Sequence, residues 1–170
     1  MRRVLVIGSP GAGKSTLATR LAARLGIPVH YLDLHHWKPG WQYRETAEAR
    51  ERVRAIVETP VWVTDGNFAE SFDLRMPRAD TLVWLDYPRS TCVRRILLRS
   101  IRDHGKQKPD LPEGCPEKFD ASALRFAWKF PAQSRPQIVT ALERHGGHLN
   151  VFRLDGDRAV AQFSRAHGIG

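Results

Sequence analysis

The chain has 170 residues, of which 42% are hydrophobic and 26% charged, the make-up of one soluble globular domain rather than a disordered or fibrous chain. A chain of this length buries roughly two thirds of its unfolded surface and needs no disulfide or metal staple. Cys92 and Cys115, the two cysteines, lack C-x-x-C spacing, which speaks against a disulfide framework or structural zinc and for a reducing compartment. No apolar run approaches the roughly 20 residues of a membrane span. The start, MRRVLVIGSPG, fails as a signal peptide because glycines and a lysine follow its short apolar run, so a cytoplasmic location is expected. A formal charge of +9 points to an anionic partner, and the segment 89–108 carries most of it, with seven basic residues and a single acid.

In chain order, residues 3–7 (RVLVI) form a short apolar run ended by glycine, the pattern of a buried strand. Leu17, Ala18, Leu21, Ala22 and Leu25 then recur at three and four, predicting a helix over 14–25 that Gly26 and Pro28 stop. A second strand is expected at 29–32, and the Ala, Glu and Arg of 43–58 predict an exposed helix. Residues 61–64 (VWVT) and 81–85 (TLVWL) read as buried strands, each closed by an aspartate. Residues 90–102 predict a helix with Val93, Ile96, Leu97 and Ile101 against the sheet and Arg95, Arg99 and Arg102 within roughly 60° of one another on the other side. Periodicity is lost over 104–120, where Gly and Pro collect as in a mobile flap; Lys106 and Lys108 there read as surface charge. Two helices, at about 121–130 and 135–145, a strand at 150–154 and a helix from about 157 complete the pattern. Strands alternating with helices predict an α/β fold with a parallel sheet covered on both faces.

The strongest motif is GSPGAGKST, residues 8–16. It satisfies G-x-x-x-x-G-K-[ST] directly after a predicted strand and at the mouth of a predicted helix, the context a phosphate-binding loop requires. Gly8, Gly11 and Gly13 let the backbone curl so that N–H groups converge on phosphates at a helix N-terminus. Gly8, Pro10, Gly11, Ala12, Gly13, Lys14, Ser15 and Thr16 are the expected nucleotide contacts. Lys14 suits the β and γ phosphates, Thr16 the α-phosphate, and Ser15 with Asp65 a magnesium ion. No N-K-x-D signature follows, which disfavours a GTPase, and 170 residues is short for a motor. An arginine stripe beside a flap fits phosphoryl transfer, which needs charge stabilisation more than covalent help.

The stretch YLDLHHWKPGW, residues 31–41, admits three readings. Adjacent His35 and His36 diverge on either a strand or a helix, so a shared metal is disfavoured beyond the magnesium that accompanies ATP. Core packing accounts for Trp37 and Trp41 but poorly for Asp33. Ligands of doubly wound sheets bind beyond the carboxyl ends of strands, and Asp33 closing the second strand can orient or deprotonate an acceptor hydroxyl. Asp33, His36, Trp37, Gly66 and Asn67 are therefore the expected acceptor contacts.

With these residues in view, the chain resembles the nucleotide and nucleoside kinases of the adenylate kinase superfamily. It is most similar to small P-loop kinases labelled DNA topology modulation proteins or adenylate kinase-like ATPases. The resemblance runs through the loop, LDLHHWKPGW, VTDGNF, ADTLVWLDYPR, the pair Arg95 and Arg99, GCPEKFD and WKFPAQSRP. It implies a three-layer fold around a five-stranded parallel sheet in order 2-3-1-4-5, forming one P-loop kinase domain over 1–170 with an acceptor-side insert at about 34–60 and a lid at about 99–121. It also implies catalytic roles for Lys14, Asp33, Arg95, Arg99 and a post-lid arginine, Arg125 or Arg135, and adenine contacts from Asp155 and Gly156 in LDGD. DGNFAE lacks the proline and arginine of DGFPR that serve AMP, so AMP is not implied as acceptor.

The expectation is thus an ATP- and Mg-dependent kinase acting on a small nucleotide, nucleoside or other hydroxyl compound, as a monomer or homodimer. A second expectation is a nucleotide-dependent regulator that binds nucleic acid through its basic segment with little turnover; no recognition motif supports it.

Overall fold

The computed structural model describes residues 1–107 and 109–170, so Lys108 lies outside the described residues. Five parallel strands form one sheet: β1 (Arg3–Gly8), β2 (Val29–Tyr31), β5 (Trp62–Asp65), β6 (Thr81–Leu85) and β7 (Asn150–Leu154), in spatial order β2-β5-β1-β6-β7. Numbered among themselves, these strands follow the expected 2-3-1-4-5. β1, β5 and β6 are apolar and buried nearly throughout because helices cover both faces.

The alternation of β1 divides the core. Val4 and Val6 pack with Leu17, Ala18, Leu21 and Ala22 of α1 (Lys14–Leu25) and with Phe163 of α7 (Asp157–Ala166). Leu5 and Ile7 pack with Val53 and Ile56 of α3 (Thr46–Val57) and with Phe130 and Ile138 of α6 (Ala121–His145). Since all strands run one way, Gly8, Tyr31, Asp65, Leu85 and Leu154 end at one edge of the sheet.

Several local expectations are corrected. The helix expected over 43–58 is α3, Thr46–Val57, because Gln42 and Tyr43 instead pair as β4 (Gln42–Tyr43) with β3 (Trp37–Lys38). Gly40 at φ 75 and Trp41 at φ 60 turn this hairpin, and the Trp37 and Tyr43 rings sit 4.0 Å apart across it. Asp33 does not close the second strand: β2 stops at Tyr31, and Asp33 opens the one-turn helix α2 (Asp33–His36).

The two helices expected after the flap are one, α6, which runs through Pro131 and Pro136. Each proline forfeits one backbone hydrogen bond, but Ala127, Phe130 and Ile138 are buried on both sides of the pair and carry the helix across. In α5 (Arg89–Arg102) the packed residues are Cys92, Ile96 and Ser100, spaced by four. Leu97 and Ile101, expected against the sheet, are 38% and 79% exposed. Between β5 and β6 the chain coils through α4 (Phe72–Arg75) and two flanking 3-10 turns, where Arg75 is fully buried.

Candidate active site

The turn from β1 into α1 forms a cradle. Gly8 has φ 145, and a Cβ there would lie 2.3 Å from the Leu85 carbonyl oxygen; at Gly11 one would meet the Cys92 carbonyl at 2.5 Å. Only glycine lets these backbones approach so closely. Gly13, in a left-handed conformation, precedes α1 with no side-chain cap and no acid in the first turn, so the helix N-terminus presents free N–H groups, a site suited to phosphate. Lys14 Nζ donates to the Ser9 carbonyl at 3.2 Å across the loop.

Asp65 ends β5 beside this cradle. It is 6% exposed, the Ser15 hydroxyl lies close enough to favour its ionised form, and Oδ1 is buried with no hydrogen-bond partner among the described residues. Burial pushes its pKa up to about 6, against the opposing pull of Lys14 and Ser15. Asp33 opens into the same space, where enclosure by protein raises its pKa while Lys14 and then His36 oppose the rise. Asp110, from the 103–120 connection, adds a further upward push on both carboxyls.

These groups line one cleft of about 1410 Å³ that includes Pro10, Gly11, Gly13, Lys14, Ser15 and Thr16 of the loop together with Asp33, His36, Trp37, Gly66 and Asn67. The cleft is not lined by Gly8 and Ala12, which are buried residues of the loop. Both ends of the Asn67 amide are committed to it: Gly8 N–H donates to Oδ1 at 3.0 Å, and Nδ2 donates to the Gly8 carbonyl at 2.8 Å. Asn67 thus ties the end of β5 to the phosphate loop.

Described residues of the connection between α5 and α6, among them Asp110, Leu111, Glu117 and Lys118, roof the cleft. Gly105 and Glu117 pair through their backbones, and Arg99 Nε donates to the Glu117 carboxylate at 3.0 Å. Trp41 N–H donates to Cys115 Sγ at 3.2 Å, and Lys118 Nζ lies 5.2 Å from the Trp41 ring centre, joining the roof to the β3–β4 hairpin. Arg95 faces the loop from α5; it donates to Asp157 at 2.5 Å, stacks over Tyr87 at 4.6 Å and reaches the Ala12 carbonyl at 3.5 Å. Arg102 pairs with Asp103. The expected arginine stripe is therefore a set of ion pairs rather than a free cationic surface.

Neither candidate post-flap arginine reaches the cleft. Arg125 is exposed, and Arg135 pairs with Asp86, which also holds Arg153. Arg135 and Asp155 line a separate pocket of about 270 Å³ with Tyr87 and Pro131; Gly156 precedes α7 beside it.

Sequence reasoning missed Arg75. Its guanidinium donates to Ser71 Oγ at 2.8 Å and to the carbonyls of Gly66 at 3.1 Å, Asn67, and Phe68 at 3.1 Å. Burial lowers its pKa to about 9, with Asp65 and Asp73 opposing. It holds the turn after Asp65, including Phe68 in a left-handed conformation at φ 31. A signal was present: Phe72, Met76 and Ala79 share a helical face with Arg75, an arginine inside an apolar stripe. Tyr43, Phe68 and Asp110 of the cleft were also missed; Tyr43 and Asp110 come from segments that carry no motif, and Phe68 closes VTDGNF without a charge or hydroxyl to mark it.

A parallel sheet in this order, with a phosphate loop after its central strand and a carboxylate at the end of the neighbouring one, defines a P-loop protein of adenylate kinase-like type. Residues 4–124 match the family model described as AAA domain, and the chain belongs to that family. A stretch of 66 residues is 36% identical to the adenylate kinase of Clavibacter michiganensis subsp. michiganensis, covering 38% of this chain and 31% of that one. The chain thus matches about a third of that relative's length. Shikimate kinase from Acinetobacter baumannii, solved with shikimate, superposes with a TM-score of 0.55 at 16% identity over 99% of this chain and 94% of that one. Shikimate kinase from Bacteroides thetaiotaomicron gives 0.52 at 20% over 97% of each, and a sugar kinase from Janibacter sp. gives 0.51 at 16% over 100% and 96%. At these identities the structural likenesses establish the shared P-loop kinase fold. Among the described residues, no helix is long and apolar enough to cross a membrane.

Proposed function

We propose that the protein is an ATP- and magnesium-dependent kinase that phosphorylates a hydroxyl of a small acceptor. One observation carries this reading: the uncapped N-terminus of α1 with Lys14, the Ser15–Asp65 pair and Asp33 all open onto the same roofed cleft. Gly8 to Thr16 cradle the phosphates through backbone N–H groups, and Lys14 offsets charge on the moving phosphoryl group. Asp65 and Ser15 suit magnesium: the donors are hard oxygens, and a buried carboxylate oxygen without a partner is costly unless something binds it. When bound, the ion supplies neutralisation of phosphate charge. Asp33, across the cleft from Lys14, orients the acceptor hydroxyl and takes its proton. Arg95 and Arg99 stand at the phosphate side on α5, and Asp155 with Gly156 flank the base.

Kinase turnover is supported over the nucleic-acid reading because Arg95, Arg99 and Arg102 each have an acidic partner. The test is acceptor-stimulated ADP formation in the wild type and Lys14→Ala. Loss of turnover is expected in the variant with its fold intact; normal ATP turnover would sink the reading.

A further inference from the structure

The acceptor end of the cleft has a composition that neither the loop motif nor the family explains. His36, Trp37, Trp41, Tyr43 and Phe68 line it as one net of rings: His36 meets Phe68 and Tyr43 at 5.2 Å and Trp37 at 5.6 Å, and Trp37 meets Trp41 at 5.5 Å. The β3–β4 hairpin and the Phe68 turn bring these rings together, and the Cys115 contact holds the hairpin under the roof. A ligand with a flat ring gains area and favourable ring geometry against such a wall. Trp41 Nε1 and His36 Nδ1 are buried without hydrogen-bond partners among the described residues.

Charge narrows the ligand further. The chain is strongly basic, yet Asp33 and Asp110 both line the cleft, close enough for the Asp110 charge to act on Asp33. Lys14, the cation that acts most strongly on Asp33, belongs to the phosphate loop in the kinase reading, and the other described cations nearby are engaged: Arg99 with Glu117, Arg102 with Asp103, and Lys118 on the Trp41 face. A phosphate monoester entering here would have to displace one of these pairings while facing two carboxylates, and like charges at short range in an enclosed site repel strongly. A neutral or cationic compound meets no such barrier, and a cation over the rings gains from their faces.

We propose that the pocket between Asp33, Asp110 and the Trp37–Trp41–Tyr43 hairpin takes an unphosphorylated, hydroxyl-bearing ring compound, neutral or cationic, and excludes phosphate monoesters. The kinase reading above is what makes this pocket the acceptor side. Calorimetric titration of the wild type with matched pairs tests it: nucleosides, hexoses and aminohexoses, each against its phosphate ester. At least one unphosphorylated member binds tenfold or more tightly than its ester, and the arm that binds identifies the ring class. In Asp110→Asn the ratio narrows because the ester gains affinity. An ester that binds as tightly as its parent, an absence of binding by every unphosphorylated compound, or an unchanged ratio in Asp110→Asn overturns the proposal. ADP formation with the same pairs after addition of Mg-ATP separates the two ideas. Binding without ADP formation refutes the kinase reading and leaves the pocket assignment standing, whereas ADP formation stimulated by an ester refutes the pocket assignment alone.

Discussion

Replacing Asp65 with asparagine should stabilise the nucleotide-free protein while abolishing its turnover. In the folded chain burial pushes the Asp65 pKa from an ordinary 3.8 to about 6. A raised carboxylate binds its proton more tightly folded than unfolded, so stability is full below about pH 3.8, falls as pH rises towards 6 and stays reduced above that. The shift is about two pH units, and at 1.36 kcal/mol per unit the ionised Asp65 costs about 3 kcal/mol at pH 7. The amide that replaces the carboxylate keeps an oxygen for the Ser15 hydroxyl and removes the buried charge. The variant should therefore unfold roughly 6–12 °C higher at pH 7, with the gap closing as pH falls from about 6 to about 3.8. Thermal unfolding at a series of pH values, with and without Mg-ATP, measures this. Mg-ATP should raise the wild-type midpoint and leave the variant nearly unmoved, since the ion that offsets the buried charge has lost its ligand. An asparagine variant no more stable than wild type at pH 7, or a difference that ignores pH, would contradict this account of the buried charge.

Arg75→Met retains bulk but takes the guanidinium donor from the Gly66 and Asn67 carbonyls and the Ser71 hydroxyl, while the Phe68 carbonyl keeps the Ser71 N–H and hydroxyl; a loss of about 3 kcal/mol is expected by denaturant unfolding, with weaker ATP affinity as the Asn67 turn loosens. A variant within about 1 kcal/mol of wild type would mean the guanidinium is not what holds that turn. Glu117→Ala releases Arg99 and one anchor of the roof, so amide exchange across 103–120 should accelerate while β1 and β6 exchange as before. Equal exchange in the roof would show that the Cys115 and Lys118 contacts suffice to hold it.

Much of this was legible before any coordinates. The phosphate loop, its strand and helix, and Asp65 at the end of a later strand follow from local signals, namely apolar runs, glycine spacing and helix stops, whereas the sheet order was implied by the family resemblance alone. The β3–β4 hairpin was not legible, because Gln42 and Tyr43 favour a strand only once Trp37 and Lys38 lie opposite them. Arg75 escaped notice because its acceptors are backbone carbonyls, which leave no trace in composition. The arginines of α5 looked like a free stripe because Asp157 and Glu117 lie 62 and 18 residues away in the chain.

The donor side of this protein is written in local sequence. A phosphate cradle is built from consecutive residues whose backbone geometry is dictated by glycine and by the helix that follows, so spacing alone specifies it. The acceptor side exists only in the folded chain. Asp33, Phe68, Asp110 and the hairpin rings come from four segments, and only the crossing of a parallel sheet and the roof over its carboxyl edge brings them to one pocket. Whether a charge there is free or paired depends on distance in space, and that distance sets which ligand the pocket admits.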